Sequence, residues 1–334
     1  MTLYFFTGFE GCSDIYDVNQ LFDDGYGGNF GATGGYNNSK CIYDLGGDGA
    51  WGKIIPSGLK TISAGGHFTK IYSNIYTMSA VYYDWIFVFL VGSTSFRLRY
   101  TLSNGFSIYQ GTTVIHHSGY TVPQGSSCHI EMKLFSDAVS GYIQVKVNGK
   151  LIINLTNMDT DGGDITFLYF SSNHSYECRL DNLYIADDFQ GELYSQVLYP
   201  NADGDINQFI PSTGVDNYAM VDETVIDDDT TYVYSNNVGD KDLYNYQTLT
   251  LDGNTIKGIS LFTLARKTSG VARSLQHMSK QDSVERYHFL KDLNLDYNAS
   301  YGNAMMDFFA NCPDGTSWTV AKLNAIQWGV TLNA

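Results

Sequence analysis

The stretch Gly141-Tyr-Ile-Gln-Val-Lys-Val-Asn-Gly-Lys-Leu-Ile-Ile-Asn-Leu155 leaves the chain little freedom of fold. Ile143, Val145 and Val147 alternate with Gln144 and Lys146, so an extended chain puts apolar groups on one side and polar groups on the other. Asn148-Gly149 follows, two residues that tolerate positive φ, as the tightest hairpin turns demand. A hairpin with one apolar face is not stable alone and must be covered by further strands or helices.

The rest of the first half supplies strands. Phe96, Leu98 and Tyr100 alternate with Arg97 and Arg99. Residues 3–7, 68–78, 85–91, 106–109, 112–115, 128–135, 165–170 and 180–186 read as further strands, with turn signals about 8 to 12 residues apart. Abundant tyrosine (26) and phenylalanine (19), frequent glycine (34) and scarce proline (5) fit pleated surfaces joined by turns. Residues 23–38, rich in Gly, Asn, Asp and Tyr, read as one long surface loop.

Asp187-Asp188 closes the last of these strands, and Pro200-Asn-Ala-Asp-Gly-Asp205 reads as a run of turn formers. A chain of 334 residues accommodates two domains, each able to bury its own core. The expected division is 1–190 and 191–334. In the second part, 256–265 and 284–290 read as strands, 320–325 as a helix capped by Thr319, and 326–332 as a terminal strand. The expected fold class is mainly β: two tandem β-sandwiches, the second smaller and carrying one or two short helices.

Cys128-His-Ile-Glu-Met-Lys-Leu-Phe135, the Asn148-Gly149 hairpin and Arg179-Leu-Asp-Asn-Leu-Tyr-Ile-Ala-Asp187, in that order, resemble the concanavalin A-like (laminin-G-like) jelly roll over roughly residues 1–188. The strings Leu198-Tyr-Pro-Asn-Ala-Asp-Gly-Asp205, Phe209-Ile-Pro-Ser-Thr-Gly214, Asn217-Tyr-Ala-Met-Val-Asp-Glu223, Asp228-Asp-Thr-Thr-Tyr-Val233 and Gly315-Thr-Ser-Trp-Thr319, with 259–267, are similar to a module of tailed-bacteriophage structural proteins that follows such a domain. The resemblance implies a virion component, a head decoration or tail-associated protein, whose partners are other virion proteins and copies of itself. It brings no catalytic residues. The alternative is a carbohydrate-binding receptor protein that meets host surface glycans through the loop at 23–38.

The residues themselves carry little chemistry. A formal net charge of −16 excludes nucleic acid as a partner, which requires clustered Lys and Arg. The longest apolar run, 85–91, is strand length, so membrane insertion is not expected, and the opening residues lack a basic leader, so synthesis in a host cytoplasm is. Cys12, Cys41, Cys128, Cys178 and Cys312 have no metal or redox spacing and read as thiols. Glycosidase chemistry needs two carboxylates across a sugar, and Glu131 is followed by Met132, Lys133 and Leu134 rather than by a second acid. The expectation is a protein that is not an enzyme and needs no cofactor. Calcium has weak candidates in Asp159, Asp161 and Asp164, and in Asp227-Asp228-Asp229; turn-capping carboxylates are the preferred reading of both. His116-His117 cannot share a metal on a regular strand, and Trp51, Tyr82, Tyr83, Trp85, Trp318 and Trp328 read as core.

Apolar groups punctuate the long connection 200–229, and apolar side chains in a connection need burial. Phe209, Ile210, Tyr218 and Met220 are therefore the expected assembly contacts, with the second domain anchoring and the first projecting outward.

Overall fold

The computed structural model describes residues 2–9, 21–26, 29–31, 41–43, 48–71, 85–101, 103–123, 126–173, 179–224, 230–251, 255–268, 270–293 and 303–334. The chain separates into two compact units, Met1–Ser195 and Gln196–Ala334.

In chain order the first unit contains β1 (Leu3–Thr7), β2 (Asp24–Tyr26), β3 (Asn29–Gly31), β4 (Cys41–Tyr43), β5 (Asp48–Ile54), β6 (Thr61–Ile71), β7 (Trp85–Val91) and β8 (Thr94–Thr101). It continues with β9 (Gly105–Gln110), β10 (Thr113–His117), β11 (Ser126–Phe135), β12 (Gly141–Val147), β13 (Lys150–Met158), β14 (Ile165–Asn173) and β15 (Arg179–Ala186). Two antiparallel sheets result. One runs β13-β12-β11-β6-β15-β4-β3, with β1 also on β15; the other runs β10-β9-β8-β7-β14-β5-β2.

The two sheets meet through their apolar faces as a jelly-roll-like sandwich. Phe68 of β6 packs edge-on against Phe87 of β7, ring centroids 5.6 Å apart. Trp51, Phe89, Phe96, Phe106 and Phe170 are likewise fully buried, each worth about 1.5–3 kcal/mol of apolar transfer. Strict alternation on β12 buries Ile143, Val145 and Val147 and leaves Tyr142, Gln144 and Lys146 on the outer face. The hairpin turn takes the expected form, with φ +48° at Asn148 and +75° at Gly149. Trp51 is core as expected; Tyr82, Tyr83 and the side chain of Trp85 lie outside the described residues.

Two expectations need correction here. The 23–38 loop contains strands: β2 pairs with β5, and β3 with β4, while residues 27–28 and 32–38 lie outside the described part. β6 begins at Thr61, seven residues before the expected start at 68. Its first half, Ser63-Ala-Gly-Gly66, lacks the bulky residues by which a strand is recognised, because large side chains from neighbouring strands occupy that space.

The second unit contains β16 (Pro200–Asn207), β17 (Ile210–Pro211), β18 (Val233–Tyr234), β19 (Lys241–Tyr246), β20 (Ile259–Ala265), β21 (Ser274–Gln281), β22 (Val284–Asp292), β23 (Asn303–Phe309), helix α1 (Val320–Ala325) and β24 (Gln327–Asn333). Its main sheet is β16-β19-β24-β21-β22, with β20-β23 forming a second, two-stranded sheet. Leu261 of β20 packs with Trp318, Leu323, Ile326 and Trp328. Met305 of β23 packs with Leu275, Val330 and Leu332. The short sheet thus covers the long one, and both tryptophans are core. Thr319 caps α1, its hydroxyl accepting from Lys322 N at 3.2 Å.

Pro200–Asp205, expected as turns, lies instead in the edge strand β16. An edge strand tolerates Pro at its first position, and the register slips between Pro200 and Ala202 and between Asp203 and Asn207 accommodate the turn-forming residues. β21, Ser274-Leu-Gln-His-Met-Ser-Lys-Gln281, has no apolar alternation to announce it, yet lies between β24 and β22 with most of its length buried.

Candidate functional site

Alternation on β11 sends Cys128, Ile130, Met132 and Leu134 into the sandwich and His129, Glu131 and Lys133 to the opposite face of the sheet. Register then sets three rows across β15, β6 and β11. Asp181 stands beside His67 and His67 beside His129; Tyr184 beside Gly65 and Gly65 beside Glu131; Ala186 beside Ser63 and Ser63 beside Lys133.

The middle row is an acid–base pair made possible by a missing side chain. A Cβ on Gly65 would lie 2.4 Å from the Tyr184 ring, so only glycine lets that ring lie across β6. The Tyr184 hydroxyl thereby reaches over an intervening strand and donates to Glu131 Oε1. A slip in the β15 ladder between Asp181 and Tyr184, with Asn182 at φ +51°, places the tyrosine.

This outer face is roofed by the chain itself. Residues 187–193 leave β15 and cross over it without regular structure. Gln190 N and Gly191 N donate to Glu131 Oε1 at 3.0 and 2.9 Å. Lys133 Nζ pairs with Asp188 at 2.8 Å. Lys146 Nζ sits 4.2 Å from the centroid of the Phe189 ring, and Leu193 is buried. Beneath this roof the ring centroids of His67 and His129 are 5.3 Å apart. His129 Nδ1 stands 3.9 Å from Glu131 Oε2, and His67 Nε2 3.9 Å from Glu192 Oε1.

Burial dominates the electrostatics. His67 is pulled down to about 4 by burial and by His129, against the opposing pull of Glu192. His129 is lowered by burial against the pull of Glu131 and Glu192. Tyr184 is raised by burial and by the Glu131 carboxylate it serves. Tyr, Glu and His side by side are groups that transfer protons. Yet Tyr184 is 0% exposed, Glu131 1% and His129 2%, so with the roof in place no substrate reaches them. What the arrangement does as it stands is fasten the connection that leads to the second unit.

Among the expected site residues, Asp159, Asp161 and Asp164 serve the fold separately. Asp159 accepts from Asp161 N at 2.9 Å, Asp164 accepts from Gly58 N at 2.9 Å, and Asp161 sits at φ +79° against Gly92. Among the described residues no three His, Cys, Asp or Glu side chains are set to hold a metal ion; Asp227, Asp228 and Asp229 lie outside them. His117 is exposed and shares a 2.7 Å hydrogen bond with Ser107. Cys41, Cys128 and Cys312 are buried, and Cys12 and Cys178 lie outside the described residues.

Phe209, Ile210, Tyr218 and Met220 are expected to offer apolar surface, and three of them do not. Met220 is buried, with Thr213 Oγ1 donating to its sulfur at 3.4 Å. Phe209 packs on the Leu275–Val330–Leu332 cluster. Tyr218 N donates to Asp203 at 2.7 Å, and the side chain is half-buried. These connections bury their own apolar groups because a second buried carboxylate pins them down. Asp242 accepts from Asn217 Nδ2 at 3.0 and 2.9 Å and from the Tyr244 hydroxyl at 2.5 Å. Asn217 also donates to the Phe209 carbonyl at 2.8 Å. Ile210 alone of the four is exposed, facing Tyr234 across the β17–β18 ribbon.

No protein-family model and no curated protein matches the chain. Solved structures do. A sialidase aligns at TM-score 0.38 and 12% identity over 55% of this chain, which spans only 18% of that protein. Domain 4 of AbnA, an extracellular arabinanase from Geobacillus stearothermophilus in complex with arabinotriose, aligns at TM-score 0.37 and 14% identity, covering 55% of this chain and 91% of that one. A Bacillus subtilis protein of unknown function with a galectin-like fold aligns at TM-score 0.36 and 10% identity, covering 56% and 96%. At these values the likeness concerns fold alone.

Proposed function

We propose that the chain is a non-enzymatic structural component of a tailed phage particle, exposed on its surface and assembling through contacts of its second unit. The observation that supports the non-enzymatic part is the burial of Tyr184, Glu131 and His129 beneath residues 187–193, with the hydrogen bonds of Tyr184 and Glu131 committed to the fold. The particle assignment rests on the sequence resemblance of both halves. Assembly contacts fall to the apolar groups that the second unit leaves uncovered. Ile210, Tyr232 and Tyr234 share one face of the β17–β18 ribbon, with the two tyrosine centroids 6.1 Å apart, and all three are exposed. Covering a few such side chains between copies contributes about 1–3 kcal/mol each, enough to decide assembly.

Purified particles digested and read by mass spectrometry should contain the chain in a fixed ratio to the major capsid protein. Its presence in the lysate but absence from washed particles overturns the reading, as does turnover of a host polysaccharide that is lost in Glu131→Gln.

A further inference from the structure

We propose that residues 187–193 form an acid-released strap: at neutral pH Glu131 clamps it over the His67–His129 pair, and protonation of that pair lifts it, freeing the connection that runs on to Gln196. This inference stands apart from the particle reading, since it needs only the first unit.

Three observations converge on it. First, the centre of the strap is held at one place. Gln190 N and Gly191 N both donate to Glu131 Oε1, Gln190 N lying also 3.3 Å from the Tyr184 hydroxyl that the same carboxylate holds, while the start of the strap is tied by Asp187 N to the Thr2 carbonyl at 3.0 Å and by Asp188 to Lys133. A centre fastened at that one Glu131–Tyr184 site opens between its ends without disturbing the β11 ladder beneath it. Second, the groups that titrate lie under the strap. His67 and His129 are each 2% exposed, and Glu192 of the strap faces both. Third, their surroundings are mixed in charge. The groups facing the pair are Glu131 and Lys133 on β11, Asp181 and Tyr184 on β15, Lys146 on β12, and Asp188 and Glu192 on the strap itself.

The sign follows from linkage. A histidine lowered in the closed state takes up its proton more readily once the strap is open and water reaches it. Closure is therefore fully stabilised above the ordinary value of 6.5 and weakens as pH falls toward about 4. For His67 alone this raises the opening constant about 30-fold between pH 8 and pH 5; His129 acts in the same direction.

The test is native-state hydrogen exchange on the intact chain, followed at the Gln190 and Gly191 amides and, as an internal reference, at Ile130 and Met132 in β11. After correction for intrinsic exchange, protection at 190 and 191 should fall at least 10-fold from pH 7.5 to pH 5 while the β11 amides hold theirs. In His67→Gln/His129→Gln the fall should shrink below 3-fold. Unchanged protection at 190 and 191 in the wild-type chain overturns the proposal. So does loss at all four amides in parallel, which means global acid unfolding. If the double variant does not fold, the wild-type pH series alone decides.

Discussion

Each unit buries one carboxylate to fasten an irregular connection, and the two fastenings differ in what they hold. In the first, Glu131 accepts from a tyrosine hydroxyl and from two backbone N–H groups of a strap on the outer face of a sheet. In the second, Asp242 accepts from a tyrosine hydroxyl and from the side-chain amide of Asn217, in the interior of its unit. A strap whose N–H groups can turn to water loses little by letting go. Tyr244, on the inner strand β19, has no such recourse, because its hydroxyl stays in the interior when the connection moves. A connection tied on the outer face of a sheet is therefore the more readily released, and one tied in the interior, where Asp242 also accepts from the Phe209 backbone, the more firmly held.

The largest effect expected from this contrast is in Asp242→Ala, which strands the Asn217 amide and the Tyr244 hydroxyl. A loss of about 3 kcal/mol or more in urea denaturation should follow, because each buried donor left unmade costs about 1–3 kcal/mol. Glu131→Ala removes the acceptor of the Tyr184 hydroxyl and of two backbone N–H groups, yet should cost no more than about 2 kcal/mol, since the strap opens and rehydrates its amides. Equal losses in the two variants would erase the distinction.

Gly65→Ala sharpens the first half of the comparison by displacing the Tyr184 ring without touching Glu131. Overpacking of this kind costs about 1–3 kcal/mol, and the Gln190 and Gly191 amides should lose protection in that variant. Retained protection would mean that Tyr184 contributes nothing to holding the strap.

Acid separates the fastenings by sign. The histidines under the strap are lowered by burial, so their contribution is present above about 6.5 and is lost as pH falls, for His67 toward about 4. Burial raises Asp242 above the ordinary 3.8, so its contribution is fully present below that value and is lost as pH rises through the raised one. Hydrogen exchange between pH 7 and pH 5 should accordingly expose the strap and leave the Asn217 and Tyr218 amides protected. Simultaneous loss at both would refute the contrast.

The smallest effect concerns the surface. Ile210→Ser should change stability by less than about 0.5 kcal/mol, because the side chain is half exposed, while lowering incorporation into particles if the ribbon is the contact face. Met220→Ala, by contrast, should cost about 2 kcal/mol of stability through the cavity it leaves.

The sequence by itself determined what is local and periodic. The alternation at 141–155, the Asn148-Gly149 turn, the Thr319 cap and the tryptophan cores were legible because period, positive φ and capping are properties of neighbouring residues. Glu131 was legible only as a lone acid. Its partners His67 and Tyr184 lie on other strands, and the one available hint was polar residues alternating at 129, 131 and 133 in an apolar strand. Which tyrosine meets which carboxylate was decided by register: β15 slips by a residue at Asn182, and Gly65 clears the path between Tyr184 and Glu131. The same holds for Pro200–Asn207 and Ser274–Gln281, whose residues favour turns or show no pattern and which became strands through the strands beside them. Burial of Phe209 and Met220 likewise depended on Asn217 finding Asp242, 25 residues away. Contacts of that span are set by the cooperative closing of whole sheets, whose free energy overrides the preference of any one segment.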